Sequence, residues 1–378
     1  MSKCPRCFTE LPLTQAWMCA TGRCAPAADA PRGVTGPIQT IEVPAGGTRL
    51  PSDEPATCTS CKGAMVEVCT VPTCRFTLPP GWRETPSTCV VMAGARGSGK
   101  SMYIAVLVKQ LEQFGELAGI RVSPATHPSA TLYSTVYEKP LFEQRGMLPP
   151  TPPLSNADGH QREPLVLEFA PRAGARHYLA LRDVGGEDLE AASLDLENLQ
   201  FLSNADSVLF LFDPLSLPDV REQLFGIVPM PATPVSGESA AVLDNILRLI
   251  RGRRPRLALV LSKFDVLQAM RDVHGADLSL IMQNTGVAFA RELGWRGHYA
   301  ERDGQLLHEE IRSLLQWLGV SWLVTAMERL SVQQGIDQRF FAVSALGDSP
   351  DGAYLHDRGI APFRCLDPIR WILAGRAL

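Results

Sequence analysis

At 378 residues, 45% hydrophobic and 20% charged, the chain has a globular composition and the length for two or three domains with at least one sizeable core. Its net charge of −4 gives no reason to expect a polyanion held by bulk charge. No apolar run approaches the roughly 18 residues of a membrane span, and the opening MSKCPRCFTELP lacks the apolar segment of a signal peptide, so a soluble cytoplasmic protein without membrane partners is expected.

Residues 1–85 hold eight of the ten cysteines, many prolines and glycines, and almost no helical periodicity. Eight basic and seven acidic side chains there leave a balance of +1. Cys4-x2-Cys7-x11-Cys19-x4-Cys24 is followed by Cys58-x2-Cys61-x7-Cys69-x4-Cys74. Each run supplies four thiolates, enough for one closed tetrahedral Zn²⁺ site, so two structural zincs in two zinc-ribbon modules are expected. A cross-braced arrangement, in which the two x2 pairs share one metal, stays open. Disulfide pairing is the alternative in an oxidising compartment. Between the runs, 25–57 reads as a Pro/Gly-rich linker with one short strand at Ile38 to Val43. Cys89 and Cys365 read as small core residues.

From about residue 86, short apolar runs alternate with helical stretches, the signature of a mostly parallel α/β sheet with helices on both faces. Strands are expected at 88–93, 164–170, 178–183, 207–213, 257–262 and 339–343, and helices at 100–114, 240–251 and 367–374. SVLFLF and LALVL are continuously apolar, as buried parallel strands should be. Two segments interrupt the alternation. Residues 115–163 include MLPPTPPLSNADGHQRE, which has no periodicity and reads as a long mobile loop. Residues 266–335 carry helical patterns such as HEEIRSLLQWL and read as a helical insertion.

Gly94, Ala95, Arg96, Gly97, Ser98, Gly99, Lys100 and Ser101 fit G-x-x-x-x-G-K-[ST] in full, with an apolar strand before them and a helix-forming run beginning near Lys100 after them; Met102 is expected to join them in binding the nucleotide. Glycines let the backbone curl so that its N–H groups point at phosphate oxygens, and the following helix adds its positive end. Lys100 is placed to reach β- and γ-phosphates, and the Ser101 hydroxyl to ligate Mg²⁺. A glycine-rich turn matching by chance is the rival explanation.

Three further motifs follow: Asp183-Val-Gly-Gly186 (D-x-x-G), Ser262-Lys263-Phe-Asp265 (close to [NT]-K-x-D) and Ser344-Ala345-Leu346 (S-A-[KL]). Each ends an apolar strand, at the sheet edge where α/β proteins bind ligands. With these four motifs in order, residues 88–374 resemble a Ras-like P-loop GTPase. The resemblance implies GTP/GDP and Mg²⁺ as ligands. Asp183 would hold Mg²⁺ through a water, the Gly186 N–H would touch the γ-phosphate, and Asp265 would accept from the guanine N1 and N2 groups. Lys263 would cover the base, and the Ala345 N–H would meet the guanine oxygen. An aspartate accepting from two donors rejects the wrong base by leaving a charge unpaired.

This chain departs from the pattern in places. Ser262 replaces the usual Asn or Thr, Glu187 stands where relatives carry a water-orienting Gln, and Arg96 replaces a glycine near the γ-phosphate. Arg96 either points to solvent or supplies charge like an arginine finger in cis. The switch threonine is expected at Thr151, with Thr126, Thr131 and Thr135 as competitors. The resemblance thus implies a GTP-hydrolysing molecular switch, slow without a partner, whose switch regions and zinc ribbons bind partner proteins. The zinc ribbon joined to a Ras-like domain with a DVGGE motif is similar to bacterial double-GTPase proteins, thought to act with partner proteins in defence against invaders. Two rivals are a non-hydrolysing GTP-dependent scaffold and a zinc-ribbon NTPase that binds nucleic acid. The +1 balance and sparse aromatics argue against the latter.

Overall fold

A computed structural model describes residues 2–21, 24, 38–41, 56–153, 163–191, 194–230, 239–273, 277–292, 299–350, 352 and 354–375. Most of the 25–57 linker therefore lies outside the described residues, as do 154–162 of the expected loop.

The N-terminal region forms a three-stranded antiparallel sheet of β1 (Gln15–Cys19), β2 (Ile38–Ile41) and β3 (Met65–Val68), with β1 central. β2 answers to the expected strand at 38–43; its last two residues are not described. β1 and β3 carried no alternation strong enough to read from sequence. β1 is buried throughout and β3 nearly so: Ala16 and Met18 pack with Val68 in one cluster, and Trp17 and Cys19 with Met65 and Cys58 in another.

A seven-stranded sheet follows: β4 (Ser87–Gly94), β5 (Ile120–Pro124), β6 (Leu165–Pro171), β7 (His177–Asp183), β8 (Ser207–Phe212), β9 (Arg256–Leu261) and β10 (Gln338–Ala342). Their order across the sheet is β10-β9-β8-β4-β7-β6-β5. The five strands from β10 to β7 are parallel, while β6 and β5 are each antiparallel to their neighbour. β7 and β8 are buried at every residue, which requires helical cover on the sheet.

The helices are α1 (Lys100–Ala118), α2 (His127–Leu132), α3 (Gly186–Glu190), α4 (Leu196–Asn204), α5 (Pro218–Leu224), α6 (Ser239–Leu249), α7 (Phe264–Gln268), α8 (Asp277–Gln283), α9 (Glu301–Trp317), α10 (Ser321–Gln334) and α11 (Asp367–Leu373). α1 is preceded by Gly99, whose φ of 88° is open to glycine, and followed by Gly119 in the same region with φ 71°.

Two expectations about the long segments need correction. The stretch 115–163 is not one open loop: it holds the end of α1, β5, α2 and a π-helix at Tyr133–Glu143. Pro140 inside that helix has no N–H to donate, which disfavours ordinary α geometry there. The Tyr133 hydroxyl donates to the Ala105 carbonyl at 2.9 Å, tying the π-helix to α1. Only residues near 144–153 run as irregular chain up to the undescribed part. The 266–335 stretch is helical as expected, yet it also supplies the crossover that parallel β9 and β10 require. His308 of α9 stacks on Phe340 of β10 at 5.0 Å and accepts its N–H at 3.1 Å.

Candidate functional site

β4 delivers the chain into the glycine-rich loop at the carboxyl edge of the parallel strands. The Lys100 ammonium lies at the centre of that loop, donating to the carbonyls of Gly94 (2.8 Å) and Ala95 (3.0 Å) and to Ser98 Oγ (3.4 Å). Burial lowers its pKa, and the charges of Asp183 and Glu190 pull the other way. Gly97 and Gly99 take positive φ. Met102 is buried behind the loop.

β7 ends beside β4, and this places Asp183 against the start of α1. Ser101 Oγ donates to Asp183 Oδ2 at 2.9 Å, Thr151 Oγ1 donates to the same oxygen at 3.1 Å, and the two hydroxyls lie 2.8 Å apart. Asp183 Oδ1 is buried and has no hydrogen-bond partner among the described residues. Burial raises the pKa of this carboxyl, opposed by Lys100 and by the two hydroxyls. Three hard oxygens around an under-bonded carboxylate suit Mg²⁺. Of the four candidate threonines, Thr151 reaches the site. Thr126 caps α2 by accepting from Ser129 N, and Thr135 donates to the Thr131 carbonyl. A cavity of about 350 Å³ opens next to this cluster, lined by Ile104, Leu132, Val136, Tyr137, Leu148 and Leu165.

Gly186 opens α3 so close to the phosphate loop that a Cβ would collide with Arg96 N. α3 then grips that loop twice. The Arg96 N–H donates to Glu190 Oε1 at 2.8 Å, and the Arg96 guanidinium pairs with Glu187 Oε1 at 2.8 Å. The Arg96 side chain, about half exposed, is thus held toward α3 by Glu187. Glu190 carried no motif by which the sequence could have revealed it.

At the far end of the loop, β9 and β10 present the remaining motifs. Asp265 Oδ1 accepts from Ser344 Oγ at 2.5 Å, and that hydroxyl accepts in turn from Gly347 N at 2.8 Å. Burial raises the pKa of Asp265, and the Ser344 hydrogen bond lowers it. Ala345 and Leu346 follow, half-buried. Ser262 Oγ donates to the Phe212 carbonyl at 3.0 Å, so it braces the ends of β8 and β9 with one hydrogen bond. Lys263 takes φ 48° and its ammonium pairs with the buried Asp213 at 2.7 Å. Asp213 also caps the turn after β8 by accepting from Leu215 N at 2.8 Å. The sequence signal for the pairing with Lys263 is a lone carboxylate ending an apolar run at the ligand edge of the sheet.

The eight N-terminal cysteines gather into two sets, but not the sequential ones. Cys4, Cys7, Cys69 and Cys74 form one set; Cys19, Cys24, Cys58 and Cys61 form the other. The cross-braced alternative is overturned as well, since the two x2 pairs lie in different sets. The cause is the antiparallel pairing of β1 with β3. It places Cys19 opposite Met65, just after the 58–61 loop, and carries Cys69 back toward the 4–7 loop. Sulfur–sulfur distances of 3.8 Å (Cys4–Cys74), 3.7 Å (Cys7–Cys69), 3.5 Å (Cys19–Cys61) and 3.8 Å (Cys24–Cys58) exclude disulfides there. They match the edge of about 3.8 Å expected of a tetrahedron with Zn–S near 2.3 Å. Phe8, Lys62 and Arg75, each directly after a cysteine, take positive φ and turn the backbone around the sulfurs. Cys89 and Cys365 are buried in the core.

A family model described as Double-GTPase 2 matches residues 89–318. The chain is 44% identical over 390 residues to the Mycolicibacterium smegmatis protein named "Putative ESX-1 scaffolding and assembly protein SaeC", with 99% of each chain covered. Among solved structures it aligns with a bacterial selenocysteine-specific elongation factor, EF-Sec, at 12% identity and a TM-score of 0.22, over 67% of this chain and 25% of that one. No described helix is long and apolar enough to cross a membrane. With a glycine-rich P-loop, an Asp183–Ser101–Thr151 cluster and the Asp265–Ser344 pair following the carboxyl ends of the parallel strands, the chain belongs to the Double-GTPase 2 family, P-loop GTPases of the double-GTPase type.

Proposed function

We propose that this chain is a GTP-dependent assembly switch: it binds GTP with Mg²⁺, hydrolyses it slowly, and presents nucleotide-dependent surfaces to partner proteins. The observation that carries this reading is the convergence of Ser101, Thr151 and Asp183 oxygens within 3.1 Å beside Lys100, with one Asp183 oxygen unpaired. Ser101, Thr151 and Asp183 would hold Mg²⁺, which neutralises β- and γ-phosphate oxygens when bound. Lys100 exchanges its loop carbonyls for phosphate oxygens, while loop N–H groups surround the developing charge. Asp265, held by Ser344, selects guanine, and Lys263, held by Asp213, lies along the base. Glu187 accepts from the attacking water once it leaves Arg96. The two cysteine sets would take Zn²⁺ as structural ions, since four thiolates leave no open coordination position for catalysis.

The name of the Mycolicibacterium smegmatis relative supports assembly of a protein complex as the output, in preference to the defence role suggested by resemblance. The Arg96–Glu187 pair supports a second reading, a scaffold that binds GTP without hydrolysing it. Single-turnover phosphate release from the zinc-loaded chain, with GTP and ATP compared and with Glu187→Gln beside the natural chain, tests both. Guanine-selective binding with slow release supports the switch. Binding with no release under any partner condition supports the scaffold, and equal binding of ATP removes both.

A further inference from the structure

The first cysteine set is not an appendage. Its loop, residues 4–9, is wedged against the GTPase sheet on the side opposite Asp183. Arg182 precedes Asp183 on β7, so the two side chains leave the strand on opposite faces. Both are buried. The Arg182 guanidinium donates to the Arg6 carbonyl at 2.7 Å, inside the Cys4–Cys7 turn, and lies 3.5 Å over the Phe201 ring. Phe201 belongs to α4, downstream of Gly186 and Glu187, and Phe8 meets it edge-on at 5.9 Å. Lys3 fastens the same loop to the last residue of α4, donating to the Asn204 carbonyl at 2.7 Å and pairing with Asp206 at 2.7 Å. Arg6 reaches across to Glu163, where the chain re-enters β6 after Thr151, at 3.7 Å.

One six-residue loop thus touches the residue before Asp183, the helix after Glu187 and the return of the Thr151 segment. Those are the segments that γ-phosphate and Mg²⁺ contacts would order. The loop's own shape is fixed by its sulfurs together with Cys69 and Cys74. We propose that Arg182 is a positioning residue for Asp183, held in place by the Cys4–Cys7 loop, so that metal retention at the Cys4, Cys7, Cys69 and Cys74 site depends on the nucleotide state. This rests on the GTP and zinc reading above. The coupling is reciprocal: if the ordered switch segments favour one shape of the loop, a firmly held metal favours the nucleotide state that orders them. Among the described residues the Cys19, Cys24, Cys58 and Cys61 site makes no hydrogen bond or ion pair with these segments, and it serves as the internal control.

The test is zinc release from the full chain to a chromogenic chelator, followed in Mg²⁺ with GDP and with a non-hydrolysable GTP analogue. Two release phases are expected, one of which changes by about fivefold or more between nucleotides. Cys4→Ser should abolish that phase and Cys58→Ser the other one. Arg182→Met keeps a long side chain over Phe201 but removes the donation to Arg6, and should equalise the two nucleotides while zinc content stays at two per chain. Phe201→Leu, milder in the core, should reduce the difference in the same direction. A chain that holds two zincs, binds guanine nucleotides and releases both metals at nucleotide-independent rates overturns the linkage alone. Absence of zinc or of guanine binding overturns it together with the reading beneath it.

Discussion

Arg96 on the glycine-rich loop and Glu187 on the first turn of α3 form an ion pair 2.8 Å long that bridges the two segments. Both side chains are about half exposed, so the pair contributes at most about 1 kcal/mol. Arg96→Ala should therefore raise single-turnover phosphate release by no more than about fivefold, by freeing Glu187 to meet water. A fall of tenfold or more in that rate would instead assign Arg96 to the transition state as an arginine in cis.

Asp265 is half-buried, and its Oδ1 accepts from Ser344 Oγ. Asp265→Asn should weaken GTP binding about a hundredfold or more, because an amide cannot accept both guanine donors. The same variant should gain affinity for xanthosine nucleotides, whose ring carbonyl replaces the guanine amine. Isothermal titration with the two triphosphates checks both directions.

Burial lifts the Asp183 pKa above its ordinary value of 3.8. A carboxyl with a raised folded-state pKa favours folding when protonated, and that benefit is lost as pH rises through the folded value. Asp183→Asn should accordingly raise the melting temperature in buffer free of Mg²⁺ and nucleotide, with a gain that is larger at pH 8 than at pH 5. Mg²⁺ affinity should run the opposite way, falling on acidification as protons compete for Oδ1 and Oδ2, and vanishing in the variant. Scanning calorimetry and Mg²⁺ titration at the two pH values measure these effects.

The cysteine sets make a stoichiometric prediction. Cys4→Ser with Cys74→Ser should leave one zinc per chain, whereas Cys4→Ser with Cys19→Ser should leave none. Sequential pairing predicts the reverse, one zinc for the second double variant and none for the first. Metal analysis of the purified proteins decides between them.

Asp213→Asn should weaken nucleotide binding by roughly tenfold, since Lys263 loses the charge that holds it and the buried turn keeps its cap. Retained circular dichroism with reduced affinity for GDP would mark the effect as local to the base site.

Much of the candidate nucleotide site was legible because its residues are set by covalent spacing. Gly94 to Ser101 are consecutive in the chain, and Asp183, Asp265 and Ser344 end or closely follow a strand whose apolar run is visible in the sequence. Thr151 could be favoured by its Pro-Thr context, yet its choice over Thr126 came only when α2 was seen to use Thr126 as a cap. The cysteine pairing was not legible. It depends on the direction in which β1 and β3 pair, and strand direction leaves no trace in spacing. Arg182 and Glu190 were missed for a related reason. Their partners, Arg6 and Arg96, are 176 and 94 residues away in the chain, and each meets a backbone group that has no sequence signature.

The interleaving of the cysteines also bears on how the molecule matures. The inner quartet is complete once Cys61 has left the ribosome, while the outer one needs Cys74 and then a floor provided by β7 and α4, more than a hundred residues later in synthesis. One metal site is thus complete early in synthesis, whereas the other gains its floor only when the sheet has folded beneath it, so an ion held there would act as a seal on finished molecules.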